Sequence, residues 1–225
     1  MKIGNYLENA SITHPLDYYP EHYERFISYS KRRSERKERL SGERNFIYSQ
    51  GSFDRVFKWR GIETYKSVYD LAIYTSILCD LKPKTLIELA TGYGGSSIWY
   101  YDVLKVHGID AKIITFDIEK PLKYFPEIQY EELDVSNIDG FDFSACEHPW
   151  LIVEDCHFHL PQLLKTFDNL ITNEDYIVIE DNTLEKQSIL DWFMRGKDRY
   201  MIDTYYTDFY GYNNCSFCDA VLKIK

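Results

Sequence analysis

The chain has 225 residues, enough for one ordinary domain with an appended arm and a core that needs neither disulfides nor a structural metal. Its 36 acidic residues outnumber 26 basic ones, for a net charge of −10, and so anionic a field repels phosphate backbones and excludes a general nucleic-acid binder. No stretch approaches the ~20 consecutive apolar residues of a membrane span, and 20 Tyr, 13 Phe and 4 Trp exclude a disordered chain, which lacks aromatics. The first 26 residues hold no apolar signal-peptide core. Five cysteines, at 79, 146, 156, 215 and 218, have mostly unpaired spacing and suit a reduced, cytoplasmic compartment.

Residues 1–56 read as an N-terminal helical, charged arm and 57–225 as the main domain. The run Lys31–Leu40 reads as a solvated helix with i,i+3 and i,i+4 pairs; a basic arm for a partner or an anionic substrate is the sharper alternative. Thr64–Lys82 carries a helical stripe that Pro83 stops. Short apolar runs and helical stretches then alternate. Strands are predicted at Thr85–Leu89, Lys112–Asp117, near Glu132, at Trp150–Val153, Tyr176–Ile179, near Tyr200–Thr204 and at Cys218–Ile224. Helices are predicted at Ser96–His107, near Pro161–Ile171 and at Leu184–Phe193. Apolar strands separated by helices indicate parallel βαβ units with both sheet faces covered. The predicted fold is α/β, a doubly wound, mostly parallel Rossmann-like sheet with an antiparallel C-terminal strand.

In such sheets ligands bind beyond the carboxyl ends of the strands, so the residues after each apolar run are the informative ones. The first run leads into Glu88-Leu89-Ala90-Thr91-Gly92-Tyr93-Gly94-Gly95-Ser96-Ser97. Its glycines allow a tight turn and a close approach to a ligand, and Ser96 or Ser97 can cap the next helix. The loop lacks the Gly-Lys-Ser/Thr of a phosphate cradle. Glu88 would repel a pyrophosphate but suits a cationic aminoacyl group, which favours S-adenosylmethionine over a dinucleotide. Asp117 ends the second strand, where a carboxylate accepts from ribose hydroxyls; Asp134 or its neighbours can face the adenine. Two further strands end in Glu154-Asp155-Cys156-His157-Phe158-His159 and Glu180-Asp181-Asn182. Clustered carboxylates repel one another, and a divalent cation such as Mg²⁺, Ca²⁺ or Mn²⁺ relieves that. His157 is read as a general base, with a metal ligand and a surface residue as alternatives. Cys215-x-x-Cys218 has no second pair and reads as buried thiols rather than zinc ligands.

Trp59-Arg60-Gly61, Lys66, Asp70-Leu71, Tyr74, Lys82-Pro83, Ile87-Glu88 and Gly92–Ser96, followed by Glu154–His157 and Val178–Asp181, resemble the cephalosporin hydroxylase/rhamnosyl O-methyltransferase family from about Phe57 to the C-terminus. The resemblance implies a class I S-adenosylmethionine-dependent methyltransferase acting on oxygen, often with Mg²⁺, and association into homo-oligomers. Asp181-Asn182 is also similar to metal-dependent catechol-type O-methyltransferases. The implied cofactor-binding set is Lys66, Glu88, Ala90, Thr91, Gly92, Tyr93, Gly94, Ser96, Asp117, Ile118, Asp134, Val135 and Glu154. The implied metal set is Glu154, Asp155, Glu180, Asp181 and Asn182, with Glu154 favoured for register and Asp155 kept beside it.

Two departures stand out. Ala90 replaces the first glycine of the family's Glu-x-Gly-x-Gly-x-Gly pattern, which is tolerated if its φ is negative. Glu154 stands where the family has Asp. The expected activity is methyl transfer to a hydroxyl of a small molecule: a sugar, a phenol or a natural product. An inactive binding module and a nucleotide-binding oxidoreductase are the alternatives. Tyr200, Tyr205, Tyr206, Tyr210 and Tyr212 are read as packing against the sheet edge or a partner, or as a lid over the acceptor.

Overall fold

The computed structural model describes residues 24–34, 56–182, 184–211, 213 and 215–225. Residues 35–40 of the charged run, and Tyr212, lie outside the described residues. Ten strands are described: β1 (Phe26–Ser28), β2 (Lys58–Trp59), β3 (Ile62–Glu63), β4 (Thr85–Leu89), β5 (Lys112–Asp117), β6 (Ile128–Glu132), β7 (Trp150–Glu154), β8 (Tyr176–Ile179), β9 (Tyr200–Asp203) and β10 (Val221–Ile224). The helices are α1 (Tyr29–Ser34), α2 (Val68–Leu81), α3 (Gly95–Val106), α4 (Leu160–Asp168), α5 (Leu184–Phe193) and α6 (Thr204–Thr207).

Eight strands form one sheet in the order β1-β9-β10-β8-β7-β4-β5-β6. The pairings β6·β5, β5·β4, β4·β7 and β7·β8 are parallel. β10 runs antiparallel to both β8 and β9, and β1 runs antiparallel to β9. This is the doubly wound, mostly parallel sheet with an antiparallel C-terminal strand that the sequence predicts. Every residue of β4, β7 and β8 is buried, so their continuous apolar runs reflect cover on both faces.

Two boundaries differ from the sequence reading. α2 begins at Val68, not Thr64, because Ser67 caps it: the Ser67 hydroxyl accepts the amide N–H of Asp70 at 3.1 Å. This leaves Lys66 ahead of the helix, outside it. β10 begins at Val221, not Cys218, because Asp219 is left-handed (φ 53°) and Ala220 N–H bonds back to Phe217 O. Cys215 and Cys218 are free and buried, as read.

The charged run is not simply solvated where it is described. Arg32 is buried and donates to Asp219 at 2.8 Å and Asp208 at 2.6 Å. Arg33 grips Asp191 at 2.7 and 2.9 Å. β1 adds the outermost strand on that side of the sheet, so residues 25–33 dock on the elements that follow the site.

The tyrosine and carboxylate excesses prove to be partly one feature. Five buried tyrosines each donate to a carboxylate: Tyr29 to Asp191 (2.8 Å), Tyr74 to Glu180 (2.5 Å), Tyr176 to Asp203 (2.8 Å), Tyr200 to Asp168 (2.6 Å) and Tyr206 to Asp80 (2.7 Å). A buried phenol needs an acceptor, and an acid is a strong one. Tyr200 and Tyr206 are therefore packing residues. Tyr205 and Tyr210 are partly exposed and stack edge-on to Phe209.

Candidate active site

Crossovers reverse at β4: β5 and β6 lie on one side of it, β7 and β8 on the other. In sheets of this kind ligands bind at such a switch point, beyond the carboxyl ends of the strands. The loops after β4, β5, β7 and β8 border it, and they carry the residues singled out from the sequence.

The loop after β4 is held by its own backbone. Ala90 and Thr91 N–H both bond Phe116 O, at 2.9 and 3.1 Å, and Gly94 N–H bonds Thr91 O at 2.9 Å. Gly94 caps α3 with φ 84°; neither Ser96 nor Ser97 caps it, contrary to the sequence expectation. Gly95 is sterically required, since a Cβ there would sit 2.3 Å from Glu63 O. Ala90 adopts φ 82°. The condition for easy tolerance, a negative φ, is therefore not met: alanine sits in a conformation that favours glycine, at a strain of about 1–2 kcal/mol.

Glu88 lies beneath this loop, 1% exposed. Its carboxylate accepts from the hydroxyls of Ser97 and Thr115, the latter at 3.1 Å, and Thr115 shares a 2.6 Å bond with Thr91. Burial pushes its pKa up, and Lys66 and the hydroxyls oppose the shift. Asp117 is more open: Oδ2 accepts Gly92 N–H at 2.9 Å and Oδ1 accepts Glu119 N–H at 3.0 Å. Asp134, exposed after β6, accepts Ser136 N–H at 2.8 Å, and that bond lowers its pKa. Tyr93 and Ile118 are exposed, while Thr91 and Val135 are buried.

The acids after β7 and β8 are handled differently. Glu180 is buried and accepts from Tyr74 at 2.5 Å and from Lys66; burial raises its pKa and Lys66 opposes the rise. Lys66, also buried, donates to Asp155 at 2.8 Å. Burial lowers the lysine pKa, but Asp155 and Glu180 outweigh this and raise it well above the usual value. Glu154 faces elsewhere: Lys186 donates to its Oε2 at 2.9 Å, and Cys156 N–H to its Oε1 at 3.1 Å. Asn182 Nδ2 donates to Cys218 O at 2.5 Å.

One group converges. Asp155, His157 and Asp181 each offer a ligand atom within 4.8 Å of the others. His157 Nε2 lies 3.6 Å from Asp155 Oδ1 and 3.7 Å from Asp181 Oδ2. Burial raises the Asp181 pKa, and the Asp155 charge raises it further. Two carboxylates at this spacing fit a divalent cation that takes oxygen donors, and the imidazole beside them is placed to serve either as a further ligand or as a base.

The predicted residues therefore divide. Glu88, Thr91, Gly92, Gly94, Ser96 and Asp117 gather on the loops after β4 and β5. Asp155, His157 and Asp181 gather after β7 and β8. Lys66, predicted on the cofactor, is held by acids of the second group because it precedes the helix. Glu154, favoured as ligand, is held by Lys186, and Asp155 takes the place beside Asp181. Glu180 and Asn182 are engaged by Lys66 and by Cys218 O. Lys186 escaped the sequence reading, although a lysine in the first turn of a helix directly after an acidic strand end is a visible signal.

Residues 52–138 match the family model described as Rhamnosyl O-methyltransferase/CmcI, and this bears out the family resemblance read from the sequence. The rhamnosyl O-methyltransferase of Mycobacterium leprae (strain TN) is 29% identical over 150 residues, 61% of this chain and 66% of that protein. The one from Mycobacterium tuberculosis (strain ATCC 25618 / H37Rv) is 26% identical over 151 residues, 61% and 62%. The chain thus spans a little under two thirds of the length of the curated relatives it matches. Among solved structures, CmcI without ligand superposes with a TM-score of 0.65 at 24% identity, covering 91% of this chain and 85% of that one. A Mg–SAM form of CmcI gives 0.64 at 23%, covering 92% and 86%. These likenesses establish the fold. Among the described residues no helix is long and apolar enough to cross a membrane.

Proposed function

We propose that this chain is an S-adenosylmethionine-dependent O-methyltransferase that methylates a hydroxyl of a small molecule, with a sugar hydroxyl as the acceptor class. The observation that carries the reading is the convergence of Asp155, His157 and Asp181 at the switch point that the glycine loop also borders. The matches to rhamnosyl O-methyltransferases and to a Mg–SAM structure of CmcI support it. The two alternatives, an inactive module and an oxidoreductase, have no specific observation in their favour. Residues 57–225 are the transfer domain in this reading, and the protein works in the cytoplasm as a homo-oligomer.

S-adenosylmethionine supplies the methyl group, and a divalent cation such as Mg²⁺ supplies charge that favours loss of the acceptor proton. The chain's own residues do the positioning. The loop after β4 gives the cofactor a backbone surface that Gly92 leaves open. Asp117 is pre-oriented by two N–H donors, and its remaining lone pairs suit ribose hydroxyls. Asp155 and Asp181 would hold the cation, leaving the His157 imidazole free of it to take the acceptor proton. Holding two reactants in line supplies much of the rate enhancement.

Calorimetry with S-adenosylhomocysteine tests the cofactor half: wild type binds, and Asp117→Ala weakens binding. A transfer assay across rhamnosyl glycosides, phenols and polyketide hydroxyls, with and without chelator, tests the rest. No binding by wild type overturns the cofactor assignment, and chelator-insensitive transfer removes the cation from catalysis.

A further inference from the structure

Lys186 breaks a local rule. It lies in the first turn of α5, where the helix dipole disfavours a cation, yet it is 5% exposed. Broken rules of this kind concentrate at functional sites. Its Nζ donates to Glu154 Oε2 at 2.9 Å and to the main-chain oxygen of Glu180 at 2.8 Å. Glu154, at the end of β7, accepts the amide N–H of Cys156 on its other oxygen at 3.1 Å. One buried ion pair therefore touches two strand ends. Cys156 is followed by His157, and Glu180 by Asp181. Both followers are left-handed, with φ 57° and 44°. Non-glycine residues keep that conformation when their surroundings over-determine it.

We infer that the Glu154–Lys186 pair is a positioning brace that holds these two turns in the register where Asp155, His157 and Asp181 converge. Successive strand residues point to opposite faces, so Glu154 acts from the face opposite Asp155. Lys186 and Glu154 are positioning residues acting through the backbone of Cys156 and Glu180. One arm of the test rests on the cation part of the proposed function; the other rests on the geometry alone.

Three measurements on the full chain decide it, comparing wild type with Lys186→Met, Lys186→Arg and Glu154→Gln. These are S-adenosylhomocysteine binding by calorimetry, Mn²⁺ binding by the EPR signal of the free ion, and the His157 ring resonances in ¹⁵N-histidine-labelled, ion-free protein. Partners one step behind metal ligands are worth about 10- to 100-fold in metal affinity. Lys186→Met is therefore expected to weaken Mn²⁺ binding by about tenfold or more and to shift the His157 resonances. S-adenosylhomocysteine affinity is expected to hold, and Lys186→Arg to restore both readouts in part. A variant combining Glu154→Gln with Lys186→Met is expected to lose no more than either single one, because the pair acts as a unit.

Unchanged Mn²⁺ affinity and unchanged His157 resonances in folded Lys186→Met overturn the inference. So does a parallel loss of Mn²⁺ and S-adenosylhomocysteine binding, which marks general loss of structure. Should Lys186→Met not fold, Glu154→Gln is read by the same two criteria. If wild type binds no Mn²⁺, the cation part of the proposed function fails and the His157 resonances alone decide the brace.

Discussion

The two halves of the rim carry the same kind of residue and treat it in different ways. After β4 to β6, carboxylates meet neutral donors: hydroxyls for Glu88, backbone N–H groups for Asp117 and Asp134. After β7 and β8, acids meet buried lysines: the buried Glu154 with Lys186, and the buried Glu180 and partly buried Asp155 with Lys66. Neutral donors leave the negative charge in place, which suits hydroxyls and an aminoacyl cation arriving from outside. Lysines cancel it, so on the second side the charge short of a partner is concentrated at Asp181, whose neighbours are Asp155 and a half-exposed imidazole. Strand-end acids are thus not interchangeable, and the nature of each counter-group says which of them awaits a ligand.

The largest test of this contrast removes a lysine. Lys66→Met leaves Glu180 and Asp155 without their cation, and breaking a buried pair from one side costs about 3–5 kcal/mol; urea unfolding reads the loss. A mild effect would show that the second half does not depend on charge cancellation. Next comes His157→Gln, expected to lower methyl transfer on the order of 10²-fold while S-adenosylhomocysteine binding stays. A drop in cofactor affinity instead would erase the boundary between the halves.

The third test is pH. The Asp181 pKa is raised by burial and by Asp155, so the folded state holds that proton more readily than the unfolded chain. Ionising it lowers stability as pH rises through the raised value, and a bound cation offsets the loss. Added Mn²⁺ is therefore expected to raise Tm at pH 8 and to lose that effect in acid, where the proton competes. An equal shift at both ends would exclude Asp181 from the ion site. The smallest test sharpens the first half. Ala90→Gly relieves a φ of 82° and is expected to stabilise by about 0.5–1 kcal/mol net of glycine's greater unfolded-state entropy, seen as a higher Tm in calorimetry.

Much of the sheet could be read from the chain. β4, β5 and β8 lie where their apolar runs place them, because strands covered on both faces carry little else. The glycine loop and the acidic strand ends were equally visible. Orientation was not. Strand alternation separates Glu154 from Asp155, and composition alone does not say that one meets Lys186 and the other Lys66. Lys66 and Lys186 pair with acids 89 to 114 and 32 residues away, and no local pattern announces such partners. Ala90 misled for a different reason: a rigid loop anchored by Phe116 imposed the glycine conformation on a residue that resists it.

The sheet order also bears on when the molecule can be assembled. β10, the last described strand in the chain, is interposed between β8 and β9, so β9 and β1 reach the sheet only through it. The contacts that tie down this edge join residues 178 and 187 positions apart, Arg25 to Asp203 and Arg32 to Asp219. Loops of that length close late, after shorter-range pairings have formed. During synthesis the strands from β4 to β8 can pair as they emerge, whereas residues 25–33 must wait for residues 203–219, made after them. Asp219 itself lies one turn beyond Ser216, whose backbone receives Asn182 N–H and donates to Asp70. This late-made edge therefore also buttresses the loop beside Asp181, and a nascent chain with its loop after β4 in place still lacks a finished rim.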